Sequence, residues 1–341
     1  MAAFILKRLL LAVPMVIGSS LLVFGIFYFS KLDPVRRLLG ERSTNEELVQ
    51  KMREDFGLNR PAHIRYFDFL GGVARGDFGR SMATREPVMK EIRQRFPATL
   101  ELTMAAMLVS ATVGLLFGIV AAFKKDTWID YACMGFSLAA VSLPVFWLAL
   151  MLSYYFSEKL GWFPLQQRYA LRFSGEVPTR TGLMLVDSAI AGRWDVFGNV
   201  MRHLALPAIT LAAVTSALVA RMTRASVLDV LRQDFVRTAQ AKGLRPARQL
   251  LHVMRNALIP IVTIIGLEIP ALLGGAVITE TIFAWPGMGK YLVDSILSAD
   301  ILAVQGVIMF MTLVFIAMNL LVDVSYAFID PRVRDALAGP A

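Results

Sequence analysis

"LTMAAMLVSATVGLLFGIVAAF", Leu102 to Phe123, is a run of 22 residues without one charge. A helix of about 20 apolar residues crosses the hydrocarbon core of a bilayer, so this stretch predicts a transmembrane helix. Five more stretches have the same character: Leu9 to Ser30, Tyr131 to Ser157, His203 to Ala220, Ala257 to Ala284 and Ala303 to Phe328. Two carry acids, with Glu268 and Glu280 in the fifth span and Asp323 near the end of the sixth. Six spans predict an all-α, polytopic membrane protein.

Composition agrees with this class. The 341 residues are 56% hydrophobic and 18% charged, and the mean hydropathy is +0.59, too apolar for a soluble domain. Cys133 is the only cysteine, and His63, His203 and His252 are widely separated, so neither a disulfide framework nor a metal site is expected. A net charge of +9 in such a chain sets topology and meets anionic lipid rather than nucleic acid.

Charged flanks orient the spans. Lys7 and Arg8, Lys124 and Lys125, and Arg332 and Arg334 all fall on one side, which should be cytoplasmic with both termini. The first span reads as an uncleaved signal anchor, because it exceeds the usual apolar core of a signal peptide and no small-residue cleavage site follows. Residues 31–98 form a long outer loop, predicted to be a small helical extracytoplasmic subdomain. At 68 residues it lies beyond the reach of the charge rule. The organisation is therefore a first span at 1–30, this subdomain, and a five-helix core at 99–341 with a basic cytoplasmic loop at 222–257.

That loop has its own pattern. Val227, Leu231, Phe235 and Ala239 recur every four residues, with Leu228 and Val236 beside them, and predict one apolar helix face. Gly243 supplies a left-handed stop. Pro246 suits the first turn of a second helix, where a missing N–H costs nothing. A helix, tight turn and helix of this kind serves equally as a surface resting on lipid headgroups or as a knob for a groove on a partner.

No nucleotide-binding or hydrolase motif accompanies it. "GMGKY" at 287–291 lacks the first glycine and the hydroxyl of a P-loop, and H-E-x-x-H and G-x-S-x-G are absent. An enzyme is not predicted, and no cofactor.

"RTAQAKG" at 237–243 resembles the coupling loop of bacterial ABC importer permeases, in the variant of the dipeptide and oligopeptide family. Arg237 and Thr238 stand where the general motif has Glu and Ala, whereas Ala239 and Gly243 agree. "GDFGRS" at 76–81, "FPATLEL" at 96–102, "SLPVFW" at 142–147, "TETIFAWPGMGKYLVDSI" at 279–296 and "NLLVDVSYAFIDPRVR" at 319–334 resemble that family's signatures in order. The long loop after span one is similar to that of the first of its two paired permeases.

The resemblance implies a type I importer architecture in the bacterial inner membrane, with a second permease, two ATPase subunits and an extracytoplasmic binding protein delivering di- or oligopeptides. It implies ATPase coupling through Phe235, Arg237, Thr238, Ala239, Ala241, Lys242, Gly243, Leu244 and Pro246. Relatives carrying nickel complexes, glutathione or oligosaccharides are an open alternative for the solute, and a membrane scaffold or sensor is a second alternative.

Intramembrane acids are functional candidates by default, which nominates Glu268 and Glu280 for the translocation pathway. Twelve residues apart, they point about 120° from each other on a straight helix, with Pro270 between them as a possible kink. The competing reading, a structural bond to a neighbouring span, is the commoner fate of such a residue. "GLLFG" at 114–118 permits close helix approach, either within the subunit or against the second permease.

Overall fold

The computed structural model describes residues 2–29, 33–40 and 44–329. Arg332 and Arg334, used above for orientation, lie outside them, as does the end of the 319–334 signature. The described helices are α1 (Ala2–Phe29), α2 (Pro34–Leu39), α3 (Glu46–Asp55), α4 (Ala62–Ala74), α5 (Val88–Phe123), α6 (Trp128–Ser142), α7 (Val145–Leu152), α8 (Met184–Ile190), α9 (Trp194–Leu231), α10 (Asp234–Ala241), α11 (Pro246–Ile282), α12 (Met288–Leu297) and α13 (Ile301–Ile329). All are α-helical, as the apolar runs require.

Among the described residues five helices are long and apolar enough to cross a membrane: α1, α5, α9, α11 and α13. The third predicted span, Tyr131 to Ser157, is broken instead. α6 ends at Ser142, Leu143 turns extended, and α7 with the π-helical turn Ser153–Lys159 leaves at 104° to it. Pro144 is the cause, since it lacks an N–H and forces the preceding residue out of the helical region. The count is thus five spans, or six with the bent pair.

The helices also outrun their apolar runs. α5 has 36 residues, about 54 Å at 1.5 Å per residue, against a core of about 30 Å. It begins at Val88, so the subdomain boundary placed at 98 falls inside a continuous helix. The subdomain itself is helical, as expected, with Val35, Val49, Met52 and Met82 as its core. Asp33 and Asn45 cap α2 and α3 by accepting from Val35 N and Leu48 N, both at 3.1 Å.

α5 and α9 run parallel in closest contact and form the spine of the bundle. Ala98, Leu102 and Ala106 of α5 pack with Leu204, Ala208 and Leu211 of α9 and with Leu272, Ala276 and Trp285. Further along, "GLLFG" packs within the subunit. A Cβ on Gly114 would lie 2.6 Å from Val219 Cβ, and one on Gly118 would lie 2.6 Å from the Ala220 carbonyl and strike Thr223. The close approach admits no side chain. Gly118→Ala is accordingly expected to cost about 1–3 kcal/mol through overpacking. A thermal midpoint of the purified protein equal to wild type would contradict this packing.

α1 stands at the periphery against α13, where Arg8 Nη1 pairs with Asp323 Oδ2 at 3.1 Å. The charge near the end of the sixth span is therefore matched from the first.

Candidate functional site

The basic loop folds as a hairpin at one end of the bundle. Its apolar stripe is not continuous, because α9 stops at Leu231 and α10 starts only at Asp234 after a break at Arg232 and Gln233. The break rotates the face that packs inward. Val227 and Val236, at 0% and 3% exposure, are buried as expected, but Phe235 is 38% exposed. Val227, Val230 and Val236 pack with Val253, Ala257 and Ile261 of α11. α10 is therefore seated on the ends of both long helices.

The turn follows the predicted chemistry. Gly243 has φ +66°, and its N–H donates to Gln240 O at 2.9 Å while Leu244 N donates to Ala239 O at 3.2 Å. Arg245 is extended, as a residue before proline must be, and Pro246 opens α11. Gln249 Nε2 donates to Leu244 O at 2.7 Å and ties the turn down. Phe235, Arg237, Thr238, Ala241 and Lys242 face outward, and Ala239 and Leu244 are half-buried. Among the described residues Arg237 keeps only a loose pairing with Asp234 at 3.8 Å. The outer face of α10 thus offers cations beside an aromatic ring.

Beside the hairpin, Arg224 of α9 grips Asp130 of α6 through Nε at 2.7 Å and Nη2 at 2.6 Å. This bidentate pair couples α6 to the end of α9 that leads into α10. Sequence reasoning passed over Asp130, because a single acid ahead of an apolar run looks like a solvated flank.

At the opposite end the signature segments converge, although they lie far apart in the chain. Glu280 is 0% exposed. Its Oε1 accepts from Thr99 Oγ1 at 2.6 Å, and its Oε2 accepts from Gly289 N at 2.7 Å and Lys290 N at 3.1 Å. Thr99 Oγ1 in turn accepts from Met288 N at 2.7 Å, and Trp285 Nε1 donates to Ala98 O at 2.8 Å. The carboxylate closes the first turn of α12, where orphan N–H groups and the helix dipole favour an anion. Glycine is required at 287 and 289, because a Cβ at Gly287 would collide with that carboxylate and one at Gly289 would lie 2.5 Å from Val277 Cα.

A second carboxylate, Asp300, accepts from Met82 N and Ala303 N at 3.0 Å, from Ala83 N at 3.1 Å and from Ser81 Oγ. It joins the end of "GDFGRS" to the start of α13. A third, Glu101 of α5, binds Arg168 Nη2 at 2.7 Å and Leu185 N at 2.7 Å. Arg168 also donates to Gly182 O at 2.8 Å. These bonds hold the 158–193 loop over the mouth of the bundle. Within that loop burial pushes the Asp187 carboxyl up, but hydrogen bonds from Thr181, Gly182 and Arg180 outweigh it and hold it below the ordinary carboxylate range. Thr99, Glu101, Arg168 and Asp300 were not predicted, since each partner set spans distant segments.

The two candidate acids of α11 are separated. Glu268 lies twelve residues from Glu280, about 18 Å along the axis, and is half-buried with one contact from Thr215 Oγ1 at 3.4 Å. Between the ends, an apolar groove of about 880 Å³ runs along α5 and α9, with Met104, Met107, Met201, Leu273 and Met318 on its walls and Glu101 in its lining. Thioether side chains there adapt to varied contacts.

Residues 114–335 match the family described as the inner membrane component of binding-protein-dependent transport systems, and residues 1–103 match that component's N-terminal region. The chain belongs to this permease family. The permease is a transport component, not an enzyme. It is 44% identical over 335 residues to the di/tripeptide transport system permease protein of Pseudomonas aeruginosa strain UCBPP-PA14, covering 98% of this chain and 99% of that one. It is 40% identical to the dipeptide transport system permease proteins of Alkalihalophilus pseudofirmus and Escherichia coli K12. Each comparison again covers 98% of this chain and 99% or more of the relative.

Proposed function

We propose that this permease is the first of two paired membrane subunits in an ATP-driven importer of di- or oligopeptides. The observation that carries the substrate class is its near full-length similarity to permeases named for dipeptide transport. A second permease, two cytoplasmic ATPase subunits and an extracytoplasmic binding protein complete the assembly. The hairpin lies in the cytoplasm of a bacterial cell, with both termini on the same side of its inner membrane.

The geometry supports a mechanical route. α10 would sit in a cleft on an ATPase, with Phe235, Arg237 and Lys242 toward the partner, and nucleotide-driven closure would displace it. Because Val236 is packed against both α9 and α11, displacement moves both helices, and the Arg224–Asp130 pair carries α6 along. At the far end, release of the 158–193 loop from Glu101 would open the groove. Rigid-body rocking of this kind is alternating access.

Uptake of a labelled dipeptide by a deletion strain and its complemented parent tests the proposal. Uptake should fall to background on deletion and return on complementation. Loss of nickel, glutathione or oligosaccharide uptake with dipeptide uptake intact would replace the substrate. Unchanged uptake of every solute, with the ATPase still turning over, would leave a scaffold.

A further inference from the structure

Among the described residues that line the apolar groove along α5 and α9, only Glu101 is ionisable. A buried carboxylate is costly unless it is paired, so its partners decide when the groove can tolerate it. Its Oε2 accepts from Arg168 Nε at 2.8 Å and Nη2 at 2.7 Å, and its Oε1 accepts from Leu185 N at 2.7 Å. All three donors belong to the 158–193 loop. Among the described residues, α5, α9 and α11 supply none.

This one-sidedness has a consequence when the loop moves. Arg168 Nη2 also donates to Gly182 O at 2.8 Å, inside the same loop, so the guanidinium leaves with an acceptor of its own. Glu101 stays behind on α5 with no donor, in a wall shared with Met104, Met107, Leu204 and Leu273. Leu183, Leu185 and Val186 of the loop line the groove as well, so the movement that admits a solute also strips the carboxylate. Removing one partner of a buried pair is strongly unfavourable. The open groove therefore favours an occupant that restores what the loop withdrew, a positive charge with three N–H donors.

An α-ammonium has that charge and three donors. A peptide with a free amino terminus carries one whatever its length and side chains, whereas a neutral solute or an anion brings none. On the same wall, two residues from the carboxylate, Thr103 is buried, and its hydroxyl has no hydrogen-bond partner among the described residues. It adds an unused acceptor beside the charge.

We propose that Glu101 receives the α-ammonium of the peptide, and that Arg168 holds this site while the loop is closed. The inference rests on the peptide reading above and adds to it the exchange of one cation for another. Loop release and capture of the amino terminus are then a single step, and a peptide without the ammonium meets a closed loop.

The test is equilibrium binding of tritiated alanyl-alanine to the permease purified with its co-purifying subunits and free of binding protein. Arg168→Gln removes the resident cation and should tighten binding about tenfold or more, the range for hydrogen bonds to a charged group. N-acetyl-alanyl-alanine should gain less than about twofold, and Glu101→Gln added to Arg168→Gln should abolish the dipeptide's gain. A pair that only holds the loop predicts no gain at all. Unchanged or weaker dipeptide binding by Arg168→Gln would overturn the proposal, as would an equal gain for the acetylated form. Should that variant fail to assemble, the wild type decides: alanyl-alanine should bind at least about tenfold more tightly than its acetylated form, and equal binding refutes the site. Alaninamide, which carries the ammonium without a second residue, separates the site from the substrate class. A gain for alaninamide in Arg168→Gln with none for alanyl-alanine would uphold a cation site at Glu101 and overturn the peptide as its occupant.

Discussion

Glu280→Ala should reduce the amount of permease in the membrane at least about fivefold and lower the thermal midpoint of what remains, at a cost of about 3–5 kcal/mol. The magnitude follows from what the carboxylate holds. Gly289 N and Lys290 N have no other acceptor within the first turn of α12, and Thr99 Oγ1 spends its proton on Glu280 while accepting from Met288 N. Alanine strands three donors at a fully buried position. It also empties the space that Gly287 and Gly289 are shaped to leave, so the turn has nothing to close on. Glu280→Gln should fall between, because its amide oxygen can still accept from Gly289 N and Lys290 N but the new NH₂ faces the Thr99 hydroxyl, which loses its acceptor. Glu268→Ala is the contrast. Its carboxylate has one long contact, at 3.4 Å, so level and midpoint should stay near wild type. Any loss of uptake there reports on the pathway rather than on folding. A Glu280→Ala permease with wild-type abundance and midpoint would show that α12 is held by something else.

That contrast also marks how far the sequence could be read. Both acids stood out, because an ionisable group in an apolar run is costly wherever it sits. Their difference was invisible, since Glu280 is defined by Thr99, 181 positions away, and by backbone N–H groups that no residue type announces. The apolar runs located every long helix, yet ran short of their ends. Val88 to Glu101 and Trp194 to Arg202 carry charges that hydropathy counts as loop, although the helix continues through them beyond the core. Hydropathy was equally blind at Pro144, where 27 uncharged residues read as one span and the backbone turns by 104°. In the hairpin, glycine and proline act through φ alone and were legible; the break at Arg232 and Gln233 has no such residue, and it turns Phe235 outward while Val236 beside it stays buried.

Gly243→Pro should lower dipeptide uptake about tenfold or more at unchanged permease abundance, while ATP hydrolysis by the assembled importer no longer responds to the loaded binding protein. The turn holds Gly243 at φ +66°, and proline is locked near −65°. The substitution also deletes the Gly243 N–H that donates to Gln240 O at 2.9 Å and ends α10. No crowding is involved, for a Cβ at this position meets nothing within 4 Å. Gly243→Asn therefore isolates conformation from bulk: asparagine enters the left-handed region at small cost and should preserve uptake within about twofold. The lesion stays local because residue 243 is exposed and α11 restarts independently at Pro246. What changes is the angle at which α10 leaves the bundle, and with it the seat of Val236 on Val227 and Val253. If the hairpin only rests on lipid, a bent α10 should transport as well as a straight one. Wild-type uptake by Gly243→Pro at equal abundance would therefore move the ATPase contact elsewhere on the permease.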